Sequence, residues 1–150
     1  RHRTVPVQRY GQRYHGRHHP RRRRLRDHRS LAMPAITTGL TATRYLVVEG
    51  DVLYSPTGRD EHSVLSSPAM IMEMELASVD AVRDQLADGE STLGFHVDVK
   101  HIAPAPVGQQ VVTMATLVEI TGKKLKFQVD TDCGDVRVGT GFHRRAIVRL

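Results

Sequence analysis

A glutamate falls among the apolar residues of a long amphipathic segment. On a helix with about 100° per residue, the stripe that carries Glu75 also carries Ile71, Met72, Val79, Val82 and Leu86. Glu73, Asp80 and Asp84 fall on the opposite side, which predicts a solvated face. A carboxylate on a buried face is costly unless it is paired or protonated, so Glu75 is a candidate general base or nucleophile. The alternative is a buried glutamate satisfied by hydrogen bonds.

A histidine ends a strand-like segment further along the chain. Strict alternation puts His101 on the face that also carries Leu93, Phe95, Val97 and Val99. His96, Asp98 and Lys100 then point the other way. An inward histidine at the end of a strand is a candidate for proton transfer. The alternative is a histidine whose hydrogen bonds are satisfied within the core.

A serine stands where the helix is predicted to begin. Ser67 precedes Pro68, and this pair is typical of an N-cap followed by the first helical residue. If the hydroxyl instead faces a pocket, it and the backbone donors of the helix N-terminus favour a developing oxyanion. No G-x-S-x-G motif surrounds Ser67, so it is not a nucleophile of the hydrolase-elbow type.

The order of predicted elements positions these three residues in an α+β domain. A β-branched run over 43–48 predicts a first strand, a polar stretch over 51–62 predicts a loop, and the helix runs from 67 to about 86. Further strands are predicted at 92–102, 110–120, 124–132 and 136–148, and short Gly-containing turns join the last three. Such an antiparallel five-stranded sheet needs one face covered, and wrapping it on one long central helix gives the hot-dog arrangement.

Charge divides the chain into two parts. Residues 1–32 hold 11 of the 22 Lys and Arg residues but one of the 16 acidic residues, whereas residues 33–150 are mildly acidic. The first part is predicted to be a disordered, Arg-rich tail, and residues 33–150 form the domain. The tail has two interpretations: an arm for nucleic acid or another anionic surface, or translated sequence upstream of a start at Met33. Because the domain itself is not basic, we do not expect it to bind nucleic acid.

Several other classes are excluded by composition. The longest apolar run, Ala69–Met72, is four residues, which predicts no membrane span, and no apolar segment follows the arginines as a secretory signal requires. One cysteine, Cys133, allows no intrachain disulfide, and no Cys/His spacing indicates a metal site. We therefore expect a cytoplasmic protein without metal or cofactor.

Several segments, in their order and spacing, resemble a known family. They are the run 64–75 (VLSSPAMIMEME), the triplets 92–94 (TLG) and 99–101 (VKH), the triplet 106–108 (PVG) and the run 139–146 (GTGFHRRA). Together they are similar to the thioesterase-like hot-dog family that includes fluoroacetyl-CoA thioesterase. The similarity extends over about residues 38–149.

The resemblance implies an active site assembled across a homodimer interface, which hydrolyses an acyl-CoA or acyl-carrier thioester. By position it implies Ser67, Glu75 and His101 as catalytic residues, with Gly94 in the pocket and Arg145 near the acyl or CoA end. The sequence departs from the family in having Ser instead of Thr at 67. It also has no aromatic residue between Tyr54 and Phe95 that could cover a very small acyl group.

The first hypothesis is therefore a homodimeric (or larger) acyl-CoA or acyl-carrier thioesterase. One alternative is a hot-dog protein that binds acyl-CoA or an acyl group without hydrolysing it. The other is a nucleic-acid-associated protein that uses the Arg-rich tail. A dehydratase is disfavoured because no Asp-x-Asn-Pro-x-His-like segment is present.

Overall fold

The computed structural model describes residues 35–150, and the predicted tail and its boundary at residue 32 lie outside the described residues. The described part contains seven strands: β1 (Thr41–Val47), β2 (Leu53–Tyr54), β3 (Val64–Leu65), β4 (Glu90–His101), β5 (Gln110–Thr121), β6 (Lys124–Cys133) and β7 (Val136–Arg149). Five of them form an antiparallel sheet in the order β1-β5-β6-β7-β4. One helix, α1 (Ser67–Val82), packs on one face of the sheet. The predicted α+β architecture is therefore confirmed.

The predicted loop over 51–62 is wrong in part, because the segment has local structure. Two 3-10 turns, Gly50–Val52 and Asp60–His62, flank a two-residue strand β2 (Leu53–Tyr54). β2 pairs antiparallel with β3 (Val64–Leu65), a strand that the sequence did not predict. This small second sheet leads directly into the helix.

The helix begins one residue earlier than the sequence predicted. Ser66 is the N-cap, and its side chain accepts a hydrogen bond from the backbone N–H of Ala69 at 3.2 Å. Ser67 is the first helical residue and Pro68 the second, so the prediction that Ser67 caps the helix was wrong. The helix ends at Val82 and continues as a 3-10 turn over Arg83–Gln85, short of the predicted end near residue 86.

The buried side of α1 is not the stripe that the helical wheel indicated. The residues that face the sheet are Met70, Glu73, Met74, Ala77, Ser78, Ala81 and Val82. Of the predicted stripe, Val82 is buried, whereas Met72 is exposed and Glu75 is half-buried, so the predicted burial was wrong for these two. A Cβ at Gly139 would collide with the Met70 sulfur, so the end of the Met70 side chain packs directly on the backbone of β7 there.

Glu73, predicted to be solvent-exposed, is buried instead. Its carboxylate accepts a hydrogen bond from Arg44 Nε at 2.9 Å, and Arg44 Nη1 also donates to Asp80 at 3.1 Å. The bond to Glu73 is the largest cause that raises the pKa of Arg44. Arg44, on β1, therefore offsets the free-energy cost of burying the Glu73 carboxylate. No pattern within the helix indicates this partner.

A β-bulge in β4 changes which residues share a face. The register with β7 shifts between Gly94 and His96, so residues on either side of the bulge alternate out of phase. Val97, Val99 and His101 share the helix-facing side, as predicted, because they lie opposite His143, Gly141 and Gly139 of β7. Leu93 and Phe95 lie on the other face, where Phe95 is under the Lys124 ammonium. The prediction that these two residues share the face of His101 was therefore wrong.

The helix covers the sheet unevenly. It packs mainly on β1 and β5 and reaches β7 and β4 only along one flank. Val97, on the helix-facing side of β4, is 42% exposed as a result. Within residues 35–150, no helix is both long and apolar enough to cross a membrane.

Candidate active site

Two of the candidate catalytic side chains are in direct contact. Ser67 Oγ lies 2.8 Å from Nδ1 of His101, which joins the first residue of α1 to the last residue of β4. Because Ser66 caps the helix, the Ser67 hydroxyl is left for this contact. The neighbouring backbone N–H groups of the helix N-terminus add positive potential at the same place.

The second nitrogen of this histidine is buried without a partner among the described residues. Nε2 of His101 is shielded from solvent and lies within hydrogen-bond distance of none of their polar atoms. When the Ser67 hydroxyl donates to Nδ1, the neutral ring carries its proton on Nε2. A buried donor without an acceptor is unfavourable, so His101 is not the internally satisfied core histidine of the alternative interpretation.

A cavity of about 330 Å³ adjoins the Ser67–His101 pair. Its other walls come from the small sheet and the segment after β4, and include Tyr54, Val64, Leu65 and Ile102. Tyr54, on β2, provides an aromatic ring in this wall. The cavity thus combines apolar walls with a small number of polar groups, as ligand sites commonly do.

Glu75 lies in a second cluster, on the flank of α1 that faces β7. Its Oε1 is 3.9 Å from His143 Nε2, and its side chain is 34% exposed. It is therefore less buried than predicted. Ser67 and Glu75 are eight residues apart on one helix, so their backbones are separated by about 12 Å along the axis.

The predicted arginine lies in the same cluster as Glu75. Arg145 donates from Nε to Thr92 Oγ1 at 2.8 Å, from Nη2 to the Thr92 carbonyl at 2.7 Å, and from Nη1 to His143 Nε2 at 3.1 Å. These contacts fix the plane of the guanidinium. Burial lowers the pKa of Arg145, whereas the negative charge of Glu75 raises it. Arg145 is thus a buried cation whose electrostatic counterpart is Glu75.

His143 is not among the site residues predicted from the sequence. It is 1% exposed, and its Nδ1 lies 2.9 Å from the His96 carbonyl. Burial is the main cause that lowers the pKa of His143. The signal was available, because Gly139, Gly141, His143 and Arg145 recur at every second position on the helix-facing side of β7.

Gly94 leaves room for this cluster. A Cβ at Gly94 would lie 2.9 Å from His143 Cε1 and 3.1 Å from Arg145 Nη1. Glycine at this position therefore has a steric basis: a side chain would press on the His143 imidazole and the Arg145 guanidinium.

The structure thus brings Ser67 together with His101, and Glu75 together with Gly94 and Arg145, in two clusters along one helix. Residues 35–150 contain no group of three or more His, Cys, Asp or Glu side chains arranged to hold a metal ion. The site consists of hydroxyl, imidazole, carboxylate and guanidinium groups. Such groups perform acyl transfer through a nucleophile or base, an oxyanion stabiliser and a proton donor.

Comparisons with known proteins agree with this chemistry. The family model for fluoroacetyl-CoA-specific thioesterase matches residues 47–150. Fluoroacetyl-CoA thioesterase of Streptantibioticus cattleyicolor is 33% identical over 96 residues, which is 64% of this chain and 69% of that protein.

Solved structures give the same result. A variant of fluoroacetyl-CoA thioesterase in complex with fluoroacetate and CoA has a TM-score of 0.69 and 30% identity, covering 77% of this chain and 97% of that chain. A thioesterase superfamily member from Thermus thermophilus has a TM-score of 0.71 and 25% identity, covering 78% of this chain and 87% of that chain. The chain therefore belongs to the fluoroacetyl-CoA-specific thioesterase family and is a thioester hydrolase with the hot-dog fold.

Proposed function

We propose that this protein hydrolyses acyl-CoA thioesters and that Ser67, Glu75 and His101 perform the reaction. The observation that carries the proposal is the 2.8 Å contact between Ser67 and His101 beside a cavity, with His101 Nε2 buried and unpartnered among residues 35–150. A thioester supplies what this arrangement needs, because its carbonyl develops negative charge and its sulfur leaves as a thiol.

The chemistry divides among the three side chains. The Glu75 carboxylate either attacks the carbonyl carbon to form an anhydride, which water then hydrolyses, or removes a proton from an attacking water. The Ser67 hydroxyl and the N-terminus of α1 stabilise the oxyanion that forms. His101 gives a proton to the departing sulfur, so the products are a carboxylic acid and free CoA.

The acyl group is proposed to occupy the cavity lined by Tyr54, Leu65 and Ile102. The cavity has a volume of about 330 Å³ and is open to the surface. Because its open side sets no limit on chain length, we propose that acyl groups longer than fluoroacetyl are also accepted. The CoA portion is inferred from the relative that was solved with CoA.

Two copies of the chain are proposed to form the working enzyme. β4 is an edge strand of the five-stranded sheet, with unpaired backbone groups along one side. Leu93, Phe95 and Val97 on this strand are 57%, 51% and 42% exposed, and Met72 on the helix is also exposed. A second copy against this edge would cover apolar surface that one protomer leaves open.

The active site is proposed to be shared between the copies. Within one helix, Glu75 lies about two turns from Ser67, and it contacts His143 rather than the Ser67–His101 pair. Glu75 of one copy would therefore act beside the Ser67–His101 pair of the other. This arrangement gives two equivalent sites per dimer.

The direct test is release of free thiol from CoA thioesters of increasing acyl length. We expect hydrolysis by the wild-type chain, and loss of it in Glu75→Gln at unchanged melting temperature. Asp84→Asn, an exposed carboxylate beyond the helix, is the matched control and should hydrolyse at the wild-type rate. Binding of acyl-CoA without thiol release would contradict the proposal.

A mixed dimer tests whether the site is shared. One copy carries Glu75→Gln, and the other carries Ser67→Ala with His101→Ala, with different affinity tags so that the mixed species can be purified. If the copies share their sites, the mixed dimer has one intact site and about half of the wild-type turnover. An inactive mixed dimer would show that each site lies within one copy, and a monomeric mass at micromolar concentration would contradict the dimer itself.

A further inference from the structure

We propose that His143, in its neutral form with the proton on Nδ1, is a positioning residue for catalysis. It fixes the Arg145 guanidinium and the bulge of β4 into a single wall beside the Glu75 carboxylate. The inference rests on the proposed function, since it gives His143 a role through Glu75. Nothing in the family resemblance or in the comparisons assigns this residue.

The hydrogen bonds of His143 determine its protonation state. Its Nδ1 faces the His96 carbonyl at 2.9 Å, and a carbonyl can only accept, so Nδ1 carries the proton. Its Nε2 faces Arg145 Nη1 at 3.1 Å, and a guanidinium can only donate, so Nε2 is the acceptor. Both partners are satisfied only by the neutral ring.

The two hydrogen bonds connect separate parts of the site. The bond to His96 holds β4 immediately after its bulge, where Gly94 makes room for the imidazole and the guanidinium. The bond from Arg145 holds the guanidinium, which is itself fastened to Thr92 on the same strand. His143 therefore sets the distance between the bulge and the cation.

The Glu75 carboxylate is the group beside which His143 positions Arg145 and the bulge of β4. Its Oε1 lies 3.9 Å from His143 Nε2, which is too long for a hydrogen bond, and Nε2 in the neutral ring has no proton to donate to it. The carboxylate is thus close to the positive charge of Arg145 while its oxygens are not bonded to the imidazole. A protonated His143 would instead donate to Glu75 and repel Arg145, which would take the carboxylate out of use.

The charged and titratable groups that face His143 come from three elements: Glu75 from α1, Arg145 from β7 and His96 from β4. Burial, the largest cause, and the positive charge of Arg145 oppose protonation of His143, whereas the His96 carbonyl and the Glu75 carboxylate favour it. Activity is expected to fall on the acid side when His143 is protonated. A variant without an imidazole at this position lacks that component of the pH profile.

Two substitutions separate the two hydrogen bonds. The side-chain oxygen of His143→Gln reaches the position of Nε2 and accepts from Arg145, whereas the amide of His143→Asn reaches the position of Nδ1 and donates to the His96 carbonyl. Turnover and KM are measured across pH at a temperature where every variant is folded, with His62→Gln, an exposed histidine, as the control.

We expect His143→Asn to lower kcat by roughly 10-fold to 100-fold at little-changed KM, since a hydrogen bond to a charged group is lost. His143→Gln should lose only a few-fold in kcat, and its acid limb should be altered. The proposal is overturned if both variants have the wild-type kcat and pH profile, or if both lose activity only in proportion to unfolding. Wild-type activity in Glu75→Gln would instead overturn the proposed function, so the two failures are distinguishable.

Discussion

The two glutamates of α1 show how the helix-facing surface of the sheet differs between its β1–β5 half and its β7–β4 half. Glu73 lies over β1, is buried, and is bonded to an arginine at 2.9 Å. Glu75 lies over β7, remains a third exposed, and has a buried cation near it without a direct salt link. The same residue type, two positions apart, is neutralised in one half and kept available in the other.

The difference follows from how the helix lies on the sheet. Over β1 and β5 the contact is close, and every polar group there must have a partner. Over β7 and β4 the helix leaves a gap that holds His143, Arg145 and Gly94. One half of the surface therefore stabilises the fold, and the other is where chemistry is proposed.

The largest expected effect is on turnover, at Glu75. Glu75→Gln keeps the size of the side chain and removes the carboxylate, and should lower kcat by about 10² to 10⁴-fold, as removal of a positioned acid or base does. Thiol release under saturating acyl-CoA measures it, and the melting temperature should not fall. A Glu75→Gln variant at wild-type turnover would remove the proposed distinction between the two halves.

Gly94 should give the next largest effect, again on turnover. A methyl group at Gly94 would lie 2.9 Å from His143 Cε1 and 3.1 Å from Arg145 Nη1, closer than ordinary van der Waals contact. Gly94→Ala is expected to lower kcat by roughly 10-fold to 100-fold, because displacement of positioned groups by a fraction of an ångström to 1 Å has such costs.

Gly139→Ala is the comparison for Gly94→Ala, since its Cβ would collide with Met70 and force the buried Met70 and Met74 side chains to repack. It should lower the melting temperature more than Gly94→Ala does. Equal loss of stability and activity in both variants would mean that the two glycines have the same structural role.

The fold was predictable from the sequence to a greater extent than the site. Leu125, Phe127 and Val129 alternate with polar residues and are buried on β6, because a strand has only two faces. The helix α1 has apolar residues on most of its circumference, so its sequence alone does not indicate which side is buried. Burial of Glu73 depended on Arg44, a residue 29 positions earlier, so no local pattern could predict it.

The bulge of β4 and the role of Ser67 were also beyond local patterns. The bulge between Gly94 and His96 follows from pairing with β7, not from alternation within β4. Two adjacent serines could each cap the helix, and the backbone selects Ser66. His143, by contrast, could have been found from the period-two pattern of β7.

A smaller effect, on stability rather than turnover, is expected at Glu73. Glu73→Gln leaves Arg44 beside an uncharged amide and should destabilise the domain by about 1–3 kcal/mol, the usual cost of a weakened buried charged hydrogen bond. Denaturant unfolding measures the change in the free energy of unfolding. The turnover of the folded fraction should stay at the wild-type value, and a loss of kcat would contradict a purely structural role for this glutamate.

The smallest expected effect is the pH dependence of stability that His143 contributes. Burial lowers the pKa of His143 below its ordinary value, so the unfolded chain binds a proton at a pH where the folded chain does not. The free energy of unfolding therefore rises with pH between the lowered pKa of His143 and the ordinary histidine value of roughly 6.5. The stability that His143 contributes is complete above this ordinary value and is lost progressively as the pH falls below it. His143→Gln removes this contribution, so its melting temperature should fall less than that of the wild type between pH 7 and pH 5. His62→Gln, in which an exposed histidine is replaced, should keep the wild-type slope. Equal slopes in all three proteins would mean that His143 does not resist protonation. The surface over β7 would then lack a buried neutral imidazole, and its contrast with the surface around Glu73 would be lost.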